Sequence, residues 1–186
     1  MKRAITLVIL SLMLLPLFSQ ELSPREMRRM EKEMKKEQKA RELEESGAVV
    51  AAMVQYATFV LEANQLRNKQ GASIIVTSAL NFVAADSTTG VLQIGDDAGI
   101  GPNGVGGITV EGNISDYKYT ENKRNGSFTV SYFLQSVVGT YDVRLTAFPN
   151  GRAEATLSNA TWGGRITFSG RLVPPMTSRV YKGMSL

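Results

Sequence analysis

Residues 127–172 read SFTVSYFLQSVVGTYDVRLTAFPNGRAEATLSNATWGGRITFSGRL, and their alternation decides the fold. From 127 to 138, Phe128, Val130, Tyr132 and Leu134 alternate with Thr129, Ser131 and Gln135. Tyr141, Val143, Leu145 and Ala147 then alternate with Asp142, Arg144 and Thr146. Ala153, Ala155 and Leu157 oppose Arg152, Glu154 and Thr156; Ile166, Phe168, Gly170 and Leu172 oppose Arg165, Thr167, Ser169 and Arg171. A period of two gives each strand one dry face and one wet face. The breaks at Gly139-Thr140, Pro149-Asn150-Gly151 and Trp162-Gly163-Gly164 carry the residues that permit tight reversals. The stretch predicts four strands of an antiparallel meander.

Working outward, 108–114 and 116–120 predict two further strands, with 122–126 as the turn into the meander. Earlier, 58–66 alternates Phe59, Leu61 and Ala63 against Val60, Glu62 and Asn64. Residues 73–77 form a short β-branched run, and 81–86 and 91–94 flank a hairpin loop at 87–90. About eight or nine strands would curl into a lipocalin-like barrel or half-barrel. The fold class is thus mainly β, preceded by an N-terminal helix.

That helix starts at Ser23-Pro24-Arg25-Glu26, where Ser23 can cap, Pro24 suits the first helical position and Glu26 closes a capping box. To Ser46 the chain is rich in helix formers, with Glu31–Lys35 and Glu37–Arg41 as favourable pairs. Met27, Met30 and Met34 make an apolar stripe that stops at Glu37, which argues against a long coiled coil. Gly47 interrupts, and 48–56 is apolar nearly all round, which predicts a separate buried helix across the sheet.

The first residues are basic (Lys2, Arg3), then apolar from Ala4 to Phe18, then small at Ser19. This pattern predicts a secretory signal peptide over 1–19. The apolar run is short of the roughly 20 residues a spanning helix needs. The expectation is an exported, periplasmic or secreted protein with no stable membrane span after cleavage. The expected organisation is signal peptide 1–19, charged helical segment 20–47, globular β domain 48–175 and basic tail 176–186, with Val180 and Tyr181 tucked back on the domain. The chain has no cysteine, so there is no cysteine-linked lipid anchor and no disulfide.

The chain also lacks histidine. Ser-His-Asp and Cys-His machinery and the usual zinc sites lack their residues. Glu111, Asp116, Glu121, Asp142 and Glu154 are scattered carboxylates without an obvious pair. Asp142 and Glu154 are expected to form cross-strand ion pairs with Arg144 and Arg152. Gly99 to Gly104 matches GxGxxG, yet a strand rather than a helix follows it, which is the wrong context for a dinucleotide. Asp96, Asp97 and Glu111 lack the spacing of an EF-hand. No catalytic residue, metal ligand or cofactor is assigned. Lys2 and Arg3 supply half of the formal +4 charge, and no basic patch interleaves with aromatics, so nucleic acid is not expected.

Several phrases resemble a domain family of unknown function widespread in exported Bacteroidetes proteins. They are Phe59-Val60-Leu61-Glu62-Ala63, Gly107-Ile108-Thr109-Val110-Glu111-Gly112, Phe148-Pro149-Asn150-Gly151-Arg152-Ala153 and Ile166-Thr167-Phe168-Ser169-Gly170. The resemblance spans about 56–173 and implies a curved antiparallel sheet and an exported location, without a reaction. This chain departs from relatives at 92–99, which tend to be more aromatic there.

Two binding readings follow from the barrel. Tyr56, Phe59, Phe82, Tyr117, Tyr119, Phe128, Tyr132, Tyr141 and Phe168 would line a pocket for an apolar or lipid-like small molecule, unless side chains simply fill the interior. Alternatively, the chain is an interaction module of the cell envelope, meeting a protein partner through helix 24–46, a sheet edge or Trp162. Asp86-Ser87-Thr88 resembles the short motif at which exported Bacteroidetes proteins are O-glycosylated, which makes Ser87 a candidate.

Overall fold

The computed structural model describes residues 23–96, 101–159 and 164–185. One helix, α1 (Pro24–Gln55), precedes nine strands: β1 (Thr58–Asn68), β2 (Ser73–Ile75), β3 (Phe82–Asp86), β4 (Thr89–Ile94), β5 (Ile108–Asn122), β6 (Ser127–Ser136), β7 (Gly139–Ala147), β8 (Arg152–Asn159) and β9 (Gly164–Val173). A short 3₁₀ turn, Pro175–Thr177, follows.

Two compact units divide at Lys39 and Ala40. The first contains the charged start of α1. Its capping box forms as expected: Ser23 N–H donates to Glu26 Oε2 at 2.8 Å and Glu26 N–H to Ser23 Oγ at 3.3 Å. These bonds, the backbone one first, hold the Glu26 carboxyl below its usual value. Lys35 pairs with Glu31 at 2.6 Å, while Arg29–Glu33, at 3.8 Å, closes in place of the expected Glu37–Arg41. Met27, Met30 and Met34 are exposed.

The second unit holds the barrel. Strands β3 to β9 pair with their chain neighbours, and β9 pairs back with β1. Along its other edge β1 meets β3 through 58–62 and β2 through 65–67. The two short strands therefore share one stave, and the ring closes with eight. One inward face collects Phe59, Leu61, Val83, Leu92, Val110, Val130, Tyr132, Leu134, Val143, Leu145, Leu157 and Phe168 in one core. The meander from β6 to β9 follows the period-two reading in register.

Five features depart from expectation. The helix does not break at Gly47, which lowers helix propensity without preventing helical backbone. Its last turns are not buried all round: Val50, Met53 and Val54 enter the core, while Val49 and Tyr56 stay exposed. The strands expected at 108–114 and 116–120 are one, β5, with a bulge where Asp116 takes a φ of 55°. A second bulge, between Ala63 and Gln65, shifts the parity of β1 so that Leu66 faces inward. Ion pairing differs as well: Glu154 meets Arg67 across β9 at 2.9 Å rather than Arg152, while Asp142 and Arg144 approach at 3.5 Å.

Candidate functional site

The nine aromatic residues of the expected pocket do not converge. Phe59, Phe128, Tyr132 and Phe168 are buried members of the packed core, so side chains fill the interior where they stand. Tyr117 and Tyr141 are half-buried at the margin of that core. Phe82 is buried on the outer face instead, because its register partners are Glu62 and Gln93, whereas its neighbour Val83 turns inward. Tyr56 is 68% exposed and Tyr119 lies beyond the packed part of β5, also exposed. Tyr117 stacks on Tyr132 and donates its hydroxyl to the Val54 carbonyl at 2.7 Å, tying β5 to the last turn of α1. Burial raises both phenols well above the ordinary value, with the adjacent tyrosine adding to it.

Ser87 occupies the exposed turn between β3 and β4 with a φ of 52°, and its N–H donates to the Ala57 carbonyl at 2.9 Å. Glu111 is engaged by Lys182 and by Ser185 at 3.0 Å. Asp97, the first two residues of the GxGxxG match and Trp162 lie outside the described residues. Among the described residues no cluster of three or more metal-ligating side chains occurs, and no helix is long and apolar enough to cross a membrane.

A hollow open to solvent, aliphatic on one side and edged by Asn81 and Asp96 on the other, lies at the rim of the barrel. It encloses about 480 Å³ among Leu66, Ile74, Ile75, Val76, Ile94 and Asn81. Its wall is β2, in which Ile75 is 90% exposed. Val76 N–H donates to the Asn64 carbonyl at 3.0 Å and Asn68 N–H to the Ala72 carbonyl at 2.9 Å. These bonds fix the phase of the ladder, in which Leu66 faces Ile74. The main-chain groups of Ser73 and Ile75 therefore point away from β1, and β2 pairs with no other strand among the described residues. The β-branched run of 73–77 is expected here; that its far edge is open is not.

The tail returns over the domain as expected, with Val180 half-buried though the Tyr181 side chain stays exposed, but the polar network it covers escaped sequence reasoning. Residues 178–185 run back over the outer face of the barrel as a strap. Gln93 and Thr109, register partners on β4 and β5, are fully buried on that face. Gln93 uses its whole amide: Nε2 donates to the carbonyls of Leu80 at 3.1 Å and Tyr181 at 2.8 Å. Its Oε1 accepts from Gly183 N–H and Thr109 Oγ1, each at 2.8 Å. Asn103, also buried, donates to Thr109 Oγ1 at 3.1 Å and accepts at its carbonyl from Met184 N–H at 3.0 Å. Further along, Tyr181 N–H donates to the Ala79 carbonyl at 2.8 Å, and Glu62 Oε1 accepts from Ser178 Oγ and Arg179 N–H. Polar residues in a strand read as a wet face; the returning tail, with Leu80 and Asn103, makes this one dry.

Comparison with known proteins adds a family and a fold. The family model described as Domain of unknown function (DUF4251) matches residues 41–172. A crystal structure of a DUF4251 family protein from Bacteroides eggerthii is similar, with a TM-score of 0.61 and 33% sequence identity. The alignment covers 72% of this chain and 90% of that one. No curated protein matches the sequence.

Proposed function

The chain belongs to the family of the Domain of unknown function (DUF4251), and from that premise we propose that it is an exported, non-catalytic binding module acting at the barrel rim. Its occupant is an extended segment of a partner protein that adds to the free edge of β2. One observation carries this: Ser73 and Ile75 present unpaired main-chain groups beside the aliphatic side of the hollow, at Leu66, Val76 and Ile94. Natural sheets blunt an edge by brevity, charge, proline or a covering segment, and among the described residues β2 shows only brevity, at three residues. Here the edge residues are Ser73, Ile74 and Ile75, none of them charged. Added strands gain affinity from main-chain bonds and specificity from pockets for alternate side chains. The packed interior leaves the rim as the place where an apolar group can be received.

Peptide-display selection against the intact chain tests the proposal. Recovered segments should show alternating apolar residues. Ile75→Pro removes a free-edge donor without touching the Leu66–Ile74 pair, and should abolish their binding. An empty selection, or binders indifferent to Ile75→Pro, would overturn it. Saturable uptake of an apolar dye at the rim, unaffected by that substitution, would assign the hollow to a small molecule instead.

A further inference from the structure

The strap of 178–185 is held largely by main-chain recognition, to which the Ser178 side chain adds a bond to Glu62 and those of Lys182 and Ser185 add bonds to Glu111. Gln93 reads the Tyr181 carbonyl and the Gly183 N–H, Asn103 reads the Met184 N–H, and Glu62 reads the Arg179 N–H. The side chains of Tyr181, Lys182 and Met184 remain exposed. One position is selected by shape. A Cβ on Gly183 would press on the Asn103 carbonyl and on Val105 at 2.9 Å. The receiving groups Gln93, Asn103 and Thr109 are buried and pre-paired with one another, so they form a built groove rather than a loose surface. The strap joins the barrel through Pro174-Pro175 and the short 3₁₀ turn, a hinge whose hydrogen bonds at Thr177 and at the Ser178 N–H stay within residues 174–178. Strap and hinge both lie beyond residue 172, where the family match ends.

We propose that this outer-face groove is a peptide-docking site, filled in cis by the strap and open in trans to the strap of a second copy. Two properties support exchange. The groove reads an extended backbone with glycine at one place, which any copy of the chain supplies. The proline-rich hinge lets the strap leave without unwinding β9, since β9 ends at Val173. Exchange of an identical element between protomers is a low-cost route to association.

The test uses the full chain carrying Gly183→Val, whose own strap cannot seat, and a labelled peptide of residues 178–185. The peptide should bind this host saturably at one per chain. Binding to the unsubstituted chain, whose groove is occupied, should be at least about tenfold weaker, the equivalent of 1.4 kcal/mol. A peptide carrying the same substitution should lose at least as much. A folded host that ignores the peptide, or binds both peptides equally, overturns the proposal. Hydrogen exchange on the unsubstituted chain gives an answer even if the variant fails to fold. The amides of Tyr181, Gly183 and Met184 should open while those of Val130 and Leu145 stay protected. Strap amides that open only with those core amides would rule exchange out.

Discussion

Tyr117 and Tyr132 stack with ring centroids 5.9 Å apart and planes inclined by 27°, and the hydroxyl of Tyr117 reaches the Val54 carbonyl. The pair joins a strand of the barrel to a helix end whose carbonyls lack intrahelical partners. Tyr117→Phe keeps the stack and removes only the hydrogen bond. It should cost about 1 kcal/mol, read as a lower urea midpoint with an unchanged slope.

The same pair sets an alkaline limit. Both phenols are raised by burial first, so the folded chain keeps their protons above the ordinary value of 10.0, where the unfolded chain has released them. Their contribution is complete below that value and is lost as pH rises beyond it. Phenolate absorbance should therefore show two of the six tyrosines ionising only as the chain unfolds, in step with the loss of circular dichroism. Smooth titration of all six in the folded state would contradict this.

Gly170 sits opposite Ala63, beside the β1 bulge, and a Cβ there would overlap the Glu62 carbonyl. Gly170→Ala should cost about 1–3 kcal/mol by overpacking. Gly164→Ala, which meets open space, should change stability by less than about 0.5 kcal/mol. Thermal melts of the two variants side by side separate the local clash from a general effect of glycine replacement.

Acid should loosen the strap before the barrel. The Lys182 hydrogen bond, then that of Ser185, holds the Glu111 carboxyl below the usual carboxylate value. Its folded value is depressed, so the stabilisation is present above the unfolded value and fades as pH falls through the folded one. After correction for the intrinsic rate, exchange of the Tyr181 and Gly183 amides should accelerate over that range, and Glu111→Gln should remove the acceleration.

Much of the barrel was legible because period-two alternation survives wherever one face is dry and the other wet. The meander from Phe128 to Leu172 and the inward Phe59, Leu61 and Ala63 follow from it directly. Two bulges were not legible, since Asn64 and Asp116 fit the alternation around them and only the pairing reveals the extra residue. Phe82 was placed inward because apolar bulk suggests a core, yet the neighbouring Val83 holds the inward parity. The rim site was half legible: Ile74 and Ile75 are plain in the sequence, whereas the unpaired edge depends on β3 taking the rest of the same stave. The Gln93–Thr109–Asn103 network left no local signal at all. It becomes dry once residues from the far end of the chain lie over it.

The seam between β1 and β9 has a kinetic consequence. Leu61 meets Leu172, and Val60 meets Val173, so the first strand finds one of its partners at the end of the sheet. Contacts of such long sequence separation carry a loop-closure cost before they return any stabilisation, and chains rich in them fold slowly. Until β9 docks, β1 holds one unsatisfied edge along the length of that seam. Ring closure is thus a late event, and the interval before it is when the chain is most exposed to mispairing.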